Sequence, residues 1–146
     1  MDFVSKAIDG SGKTFSVPGN EGLGVAVETI TGVITLAADQ SGKTLVLNAA
    51  EGVAVTLPAL AAGLKYKFVV GAVFATTAWT VVASTNVIQG GAIVNSVNIP
   101  AVNENTISFV ATAETVGDYV EIECDGTNWY ATGIGFAAGG ITFTAP

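Results

Sequence analysis

The stretch Tyr119-Val-Glu-Ile-Glu-Cys-Asp-Gly-Thr-Asn-Trp-Tyr-Ala-Thr-Gly-Ile-Gly135 decides the reading of this chain. Successive side chains of a β-strand point to opposite faces. Val120, Ile122 and Cys124 therefore share one face, and Tyr119, Glu121 and Glu123 share the other. Asp125-Gly126 follows as a turn signal, and "NWYATGIG" resumes an extended run. Apolar alternation, Asp-Gly and a second alternating run together predict a β-hairpin.

The same period runs outward in both directions. "TLVLN" sets Leu45 and Leu47 on one face, and "VAVTLP" sets Val53, Val55 and Leu57 on one face. "AAEG" between them predicts a hairpin connection. "KYKFVVGAVF" sets Tyr66, Phe68 and Val70 against Lys65 and Lys67. "WTVVA" follows, then "NVIQGGAIV", where Gly90-Gly91 predicts a tight turn, and "TISFVATA" sets Ile107, Phe109 and Ala111 together. One helical turn is conceivable around "ALAAGL", between Pro58 and Gly63. Short strands with glycine-rich turns predict an all-β fold, a single antiparallel β-sandwich or jelly roll.

Residues 1–25, rich in Gly and Ser, read as an extended N-terminal arm, and residues 26–146 as the sandwich domain. The apolar end "GFAAGGITFTAP" predicts a last strand that pairs in its own sheet or against a neighbour.

"SGKT" occurs twice, at Ser11–Thr14 and Ser41–Thr44. A phosphate loop needs glycine five positions before the Gly-Lys pair, set between a buried strand and a helix. Ala7 and Ala37 hold those positions and no helical pattern follows. Both stretches are read as polar turns that lead into strands.

Half of the 146 residues are hydrophobic and only 12% are charged, against about 25% in an ordinary soluble domain. Partner surfaces are expected to cover what these few charges leave bare. The net charge is −7 with no arginine, which argues against nucleic acid and anionic membranes as partners. Phe68–Asn103 is free of charge, yet its most apolar part is too short and too β-branched for a spanning helix. No secretion signal or glycosylation sequon is read, consistent with folding in a cytoplasm.

Catalytic parts are missing. The chain has no histidine and one cysteine, so Ser-His and Cys-His pairs and Cys/His zinc sites are excluded. Cys124 is expected to be a small core residue. Asp118, Glu121, Glu123 and Asp125 offer oxygens for calcium, but the plainer expectation is a solvated sheet face. Trp79, Trp129, Tyr66, Tyr119 and Tyr130 suggest a sugar-stacking platform, yet Trp129 and Tyr130 must point to opposite faces. One of that pair is expected in the core and the other at an interface. No enzyme activity, cofactor or metal is predicted.

"VTLPALAAGLKYKFVV" (Val55–Val70), "NVIQGG" and "ECDGTNWYATG" resemble a pattern of tailed-bacteriophage structural proteins. It occurs in capsid decoration (cement) proteins, head-fibre proteins and some tail-fibre domains, and it covers about residues 30–135. The resemblance implies a β-sandwich or jelly-roll subunit, usually a homotrimer, seated on the capsid exterior of a virion. The implied partners are the major capsid protein and further copies of the chain. The alternative is a tail-fibre or receptor-binding domain that recognises host glycans. The candidate interface residues are Phe3, Val4, Phe15 and Val17 in the arm, Trp129 and Tyr130 in the hairpin, and Phe136, Ile141 and Phe143 near the end.

Overall fold

The computed structural model describes residues 26–146, together with the backbone pairing of two short strands before them. Those two, β1 (Lys6–Ile8) and β2 (Thr14–Ser16), form an antiparallel pair. The rest of the arm expected over residues 1–25 lies outside the described residues, as do the side chains of Phe3, Val4, Phe15 and Val17.

Twelve further strands build a β-sandwich. They are β3 (Val27–Ile30), β4 (Ile34–Thr35), β5 (Thr44–Leu47), β6 (Ala54–Thr56), β7 (Lys65–Val70), β8 (Trp79–Val82), β9 (Ile88–Val94), β10 (Val97–Glu104), β11 (Thr106–Phe109), β12 (Tyr119–Cys124), β13 (Trp129–Gly135) and β14 (Ile141–Thr144). One sheet has the order β10-β9-β13-β12-β7-β5-β3, and the other β14-β11-β8-β6-β4. Among the described residues the single helical element is a 3-10 turn at Ala38–Gln40. "ALAAGL" forms no helix, and "GFAAGGITFTAP" ends in β14, which pairs with β11.

The pairing departs from the antiparallel, jelly-roll expectation. Of the ten strand pairings in the two sheets, five are parallel. From β3 to β8 the chain alternates between sheets at every step. It stacks β3, β5 and β7 in parallel in one sheet and β4, β6 and β8 in parallel in the other. The expected "AAEG" hairpin between β5 and β6 is therefore a crossing from one sheet to the other. Parallel neighbours need a long crossover, usually a helix; here a strand of the facing sheet serves. Alternation assigns side chains to faces but does not choose a partner strand.

The predicted Gly90-Gly91 turn is also overturned. Both glycines lie inside β9, and the turn comes four residues later, at Asn95-Ser96 between β9 and β10. Their φ values of 48° and 67° are those of a two-residue I′ hairpin, whose twist matches the flanking strands. Gly90 and Gly91 are needed for another reason. A Cβ on Gly90 would stand 2.2 Å from the Ala131 carbonyl oxygen, and one on Gly91 2.4 Å from that of Ile99. β9 is squeezed between β13 and β10, and glycine permits that approach.

The core lies between the sheets. Leu45, Leu47, Val55, Phe68, Trp79, Val81, Ile88, Ile107, Phe109, Val120 and Ile141 are fully buried, each large side chain contributing about 1.5–3 kcal/mol. Cys124 is buried among them, as expected. The charge-free stretch Phe68–Asn103 folds into β7 to β10, and no described helix is long and apolar enough to cross a membrane.

Candidate functional site

The second SGKT is a turn stitched to its surroundings. The amides of Ser41, Gly42, Lys43 and Thr44 donate to the carbonyls of Ala38, Lys65, Gln40 and Ala26 at 2.7–3.3 Å. Gly42 takes φ 89°, and the Ser41 hydroxyl accepts from the Lys65 amide at 3.0 Å. No amide is left to cradle a phosphate, and Thr44 starts β5 rather than a helix.

The outer face of the seven-stranded sheet carries two kinds of surface. The first is polar. Alternation in β7 turns Lys65 and Lys67 outward while Tyr66, Phe68 and Val70 go to the core. Alternation in β12 turns Glu121 and Glu123 outward on the neighbouring strand. Register sets Lys67 opposite Glu121 and Lys65 opposite Glu123. Lys67 Nζ lies 3.6 Å from Glu121 Oε1 and 4.6 Å above the centre of the Tyr119 ring. Lys43 Nζ donates to Glu28 Oε2 at 2.7 Å. That hydrogen bond holds the Glu28 carboxyl below its ordinary range. Exposed pairs of this kind contribute about 0.2–1 kcal/mol, so their weight is in the surface they create. The three lysines of residues 26–146 line one groove of about 340 Å³ together with Glu121, Glu123, Tyr130 and Thr132.

Tyr130 stands at the end of this groove, 47% exposed. Its hydroxyl donates to Asp125 Oδ2 at 2.9 Å, while Asp125 Oδ1 accepts from the amides of Thr127 and Asn128, each at 2.7 Å. The amides, foremost that of Asn128, together with Tyr130 lower the Asp125 pKa. The carboxylate in turn raises that of the Tyr130 phenol. Tyr66 faces inward, donates its hydroxyl to the Ala37 carbonyl at 2.9 Å, and is raised by burial and by Asp39.

The second surface is uncharged. β9, β10 and β13 carry one charged residue among them, Glu104 at the end of β10. Ile93 and Ile134 lie side by side in register, and both are exposed, as are Val102 and Phe136. Gly90, Gly91 and Gly133 floor a shallow depression of about 290 Å³ beside Ile93.

The four acidic residues weighed against calcium do not come together. Asp118 is fully buried, accepting from the Thr115 amide at 2.9 Å and the Phe136 amide at 2.8 Å. Asp125 is occupied in its own turn, and no described group of acidic or cysteine side chains is arranged to hold a metal ion. A second buried carboxylate, Glu114, was not singled out by its sequence context. Glu114 Oε1 accepts from the Phe74 amide at 2.6 Å, and its other oxygen and Trp79 Nε1 have no partner among the described residues.

The interface candidates divide. Trp129 and Ile141 are buried in the chain's own core and leave no side-chain surface for a partner. Phe143 is partly buried against that core. Tyr130 and Phe136 are exposed, and Tyr130 is the outward member of the Trp129-Tyr130 pair. The five-aromatic platform is likewise reduced, since Trp79, Trp129 and Tyr66 are internal. Pairing of Lys65 and Lys67 with Glu121 and Glu123 joins elements more than fifty residues apart, and no local pattern announces it. Comparison with protein-family models, with curated proteins and with solved structures finds no match for the chain.

Proposed function

We propose that the chain is a structural subunit of a virus particle, a decoration protein that binds the outside of a tailed-phage capsid as a homotrimer and stabilises it. The observation that carries this reading is the uncharged outer face of β9, β10 and β13, with Ile93, Ile134, Val102 and Phe136 exposed. An uncharged face bearing exposed apolar side chains, on a chain of net charge −7, is the kind of surface that a protein partner covers. The remaining carboxylate-rich surface keeps a crowded particle soluble. The major capsid protein and neighbouring copies of the chain are the partners this reading names. The resemblance of "VTLPALAAGLKYKFVV" and "ECDGTNWYATG" to phage structural proteins supports it independently.

The test is an Ile93→Lys, Ile134→Glu double variant. Both positions are exposed, so folding stability should change by only about 0.5 kcal/mol per site. Binding to capsids stripped of the protein should be lost. A variant that still saturates such capsids removes this face from the account.

A further inference from the structure

We propose that the groove lined by Lys65, Lys67, Glu121, Glu123 and Tyr130 is a binding site for a neutral saccharide, bordering the uncharged face assigned to the capsid, with which it shares β13. Three features of the groove select this ligand class.

The first is charge balance. Lys43 is held by Glu28 at 2.7 Å, Lys67 lies 3.6 Å from Glu121, and Lys65 stands opposite Glu123 in the register. Each of the three ammonium groups has a carboxylate as ion-pair partner or register neighbour, so a charged ligand gains little net attraction. An anion meets a further obstacle, because residues 26–146 carry three lysines against nine carboxylates, and that field repels it.

The second is hydrogen-bonding capacity. An ammonium only donates and an ionised carboxylate only accepts, whereas a hydroxyl does both. Across β7 and β12 donors and acceptors alternate, Lys65 beside Glu123 and Lys67 beside Glu121, with the side chain of Thr132 next to Glu121. A polyol can bridge such neighbours with adjacent hydroxyls, where a ligand bearing only donors or only acceptors satisfies one of each pair.

The third is the aromatic wall. Tyr130 is 47% exposed at the edge of the groove, and its ring is tethered through its hydroxyl to Asp125 Oδ2 at 2.9 Å. Asp125 is itself fixed by two backbone amides. An aromatic ring offers a flat apolar surface to the C–H face of a pyranose, with its polar end left wet. Because the ring is held before the ligand arrives, little rotamer entropy is lost on binding. A volume of about 340 Å³ lies at the small end of ligand sites, which span roughly 300–1,000 Å³, and suits a short oligosaccharide segment rather than a long chain.

The experiment is a titration of the full-length, isotope-labelled chain, free of particles, with short neutral oligosaccharides of glucose, galactose and mannose, followed by amide NMR shifts. A sulfated polysaccharide serves as the anionic comparison. Saturable shifts are expected at Lys65, Glu121, Glu123 and Tyr130 with at least one neutral sugar, and they should persist in high salt. Tyr130→Ala should weaken that binding by about tenfold or more, the loss of a central aromatic anchor. Tyr130→Phe keeps the ring but loses its tether to Asp125 and should bind between wild type and Tyr130→Ala, and Glu123→Gln should weaken binding several-fold. Unchanged melting temperatures for these variants would separate a lost contact from a lost fold. Absence of shifts with every neutral sugar, shifts outside the groove, or affinity indifferent to Tyr130→Ala would each overturn the proposal. Binding confined to the sulfated polymer and abolished by salt would overturn it too. Capsid binding is read separately with the Ile93→Lys, Ile134→Glu variant, because neither isoleucine lines this groove.

Discussion

The segment Val27–Val82 and the segment Ile88–Thr144 contribute to the same two sheets by different routes. In the first, each strand crosses to the facing sheet, so sheet neighbours are parallel and always two elements apart in the chain. In the second, β9 with β10 and β12 with β13 are hairpins closed by short turns, with β11 and β14 pairing across the other sheet. The two segments meet where β7 pairs with β12 and where β8 pairs with β11. The chemistry of the outer face follows this division. All three lysines of residues 26–146 come from the crossing segment, while the uncharged surface of β9, β10 and β13 comes from the hairpin segment. The polar groove sits at the seam, its cations from one route and its Glu121, Glu123 and Tyr130 from the other.

The two segments should differ most in their tolerance of a side chain at glycine. Gly90→Ala in the hairpin segment would drive a Cβ to 2.2 Å from a backbone oxygen at φ 109°. Strain of this kind costs about 1–3 kcal/mol before any steric displacement is counted, so a loss of about 3 kcal/mol or more is expected in chemical denaturation. Gly42→Ala in the crossing segment also has positive φ, 89°, but nothing within 4 Å. It should lose only about 1–2 kcal/mol, the left-handed backbone penalty alone. Equal losses would mean that the close approach of β9 to β13 is not the constraint described.

Glu114→Ala comes next. It leaves the Phe74 amide, now paired at 2.6 Å, buried without an acceptor, which costs about 1–3 kcal/mol. Glu114→Gln retains a carbonyl acceptor and should lose less, and thermal unfolding of both variants checks the order. Smaller still is Ser96→Gly, at φ 67° in the β9–β10 turn. Relief of left-handed strain of about 1–2 kcal/mol, offset by about 0.5–1 kcal/mol of glycine entropy, should leave the variant about 0.5 kcal/mol more stable.

The mildest test is Asp125→Asn read against pH. The folded-state pKa of Asp125 lies below its ordinary 3.8, so its stabilisation is fully present above that value and is lost as pH falls through the lower, folded one. The gap in melting temperature between wild type and variant should be constant from neutral pH down to roughly pH 5 and close below roughly pH 4. A gap independent of pH would mean that the carboxylate charge does not hold the turn.

The sequence is most legible where a decision is local. Alternation placed Val120, Ile122 and Cys124 inside and Glu121 and Glu123 outside, and Asp125-Gly126 marked the turn of the hairpin it closes. It failed where two readings share the same letters. A Gly-Gly pair signals a turn or a tight strand contact, and only the positions of Ala131 and Ile99 distinguish them. The parallel stacking of β3, β5 and β7 left no trace, because a strand buried on one face alternates in the same way whatever its partner. The same limit hid the site. Tyr130 was known to oppose Trp129, but not which of the two faced outward, and the groove arises from register between distant strands.

If the chain is the shell-bound structural subunit proposed above, the decisive quantity is its copy number in purified particles relative to the major shell protein. A shell-bound subunit gives a ratio near one or a simple fraction of it. A handful of copies per particle would place the chain in a tail instead, and its absence from particles would contradict the claim outright.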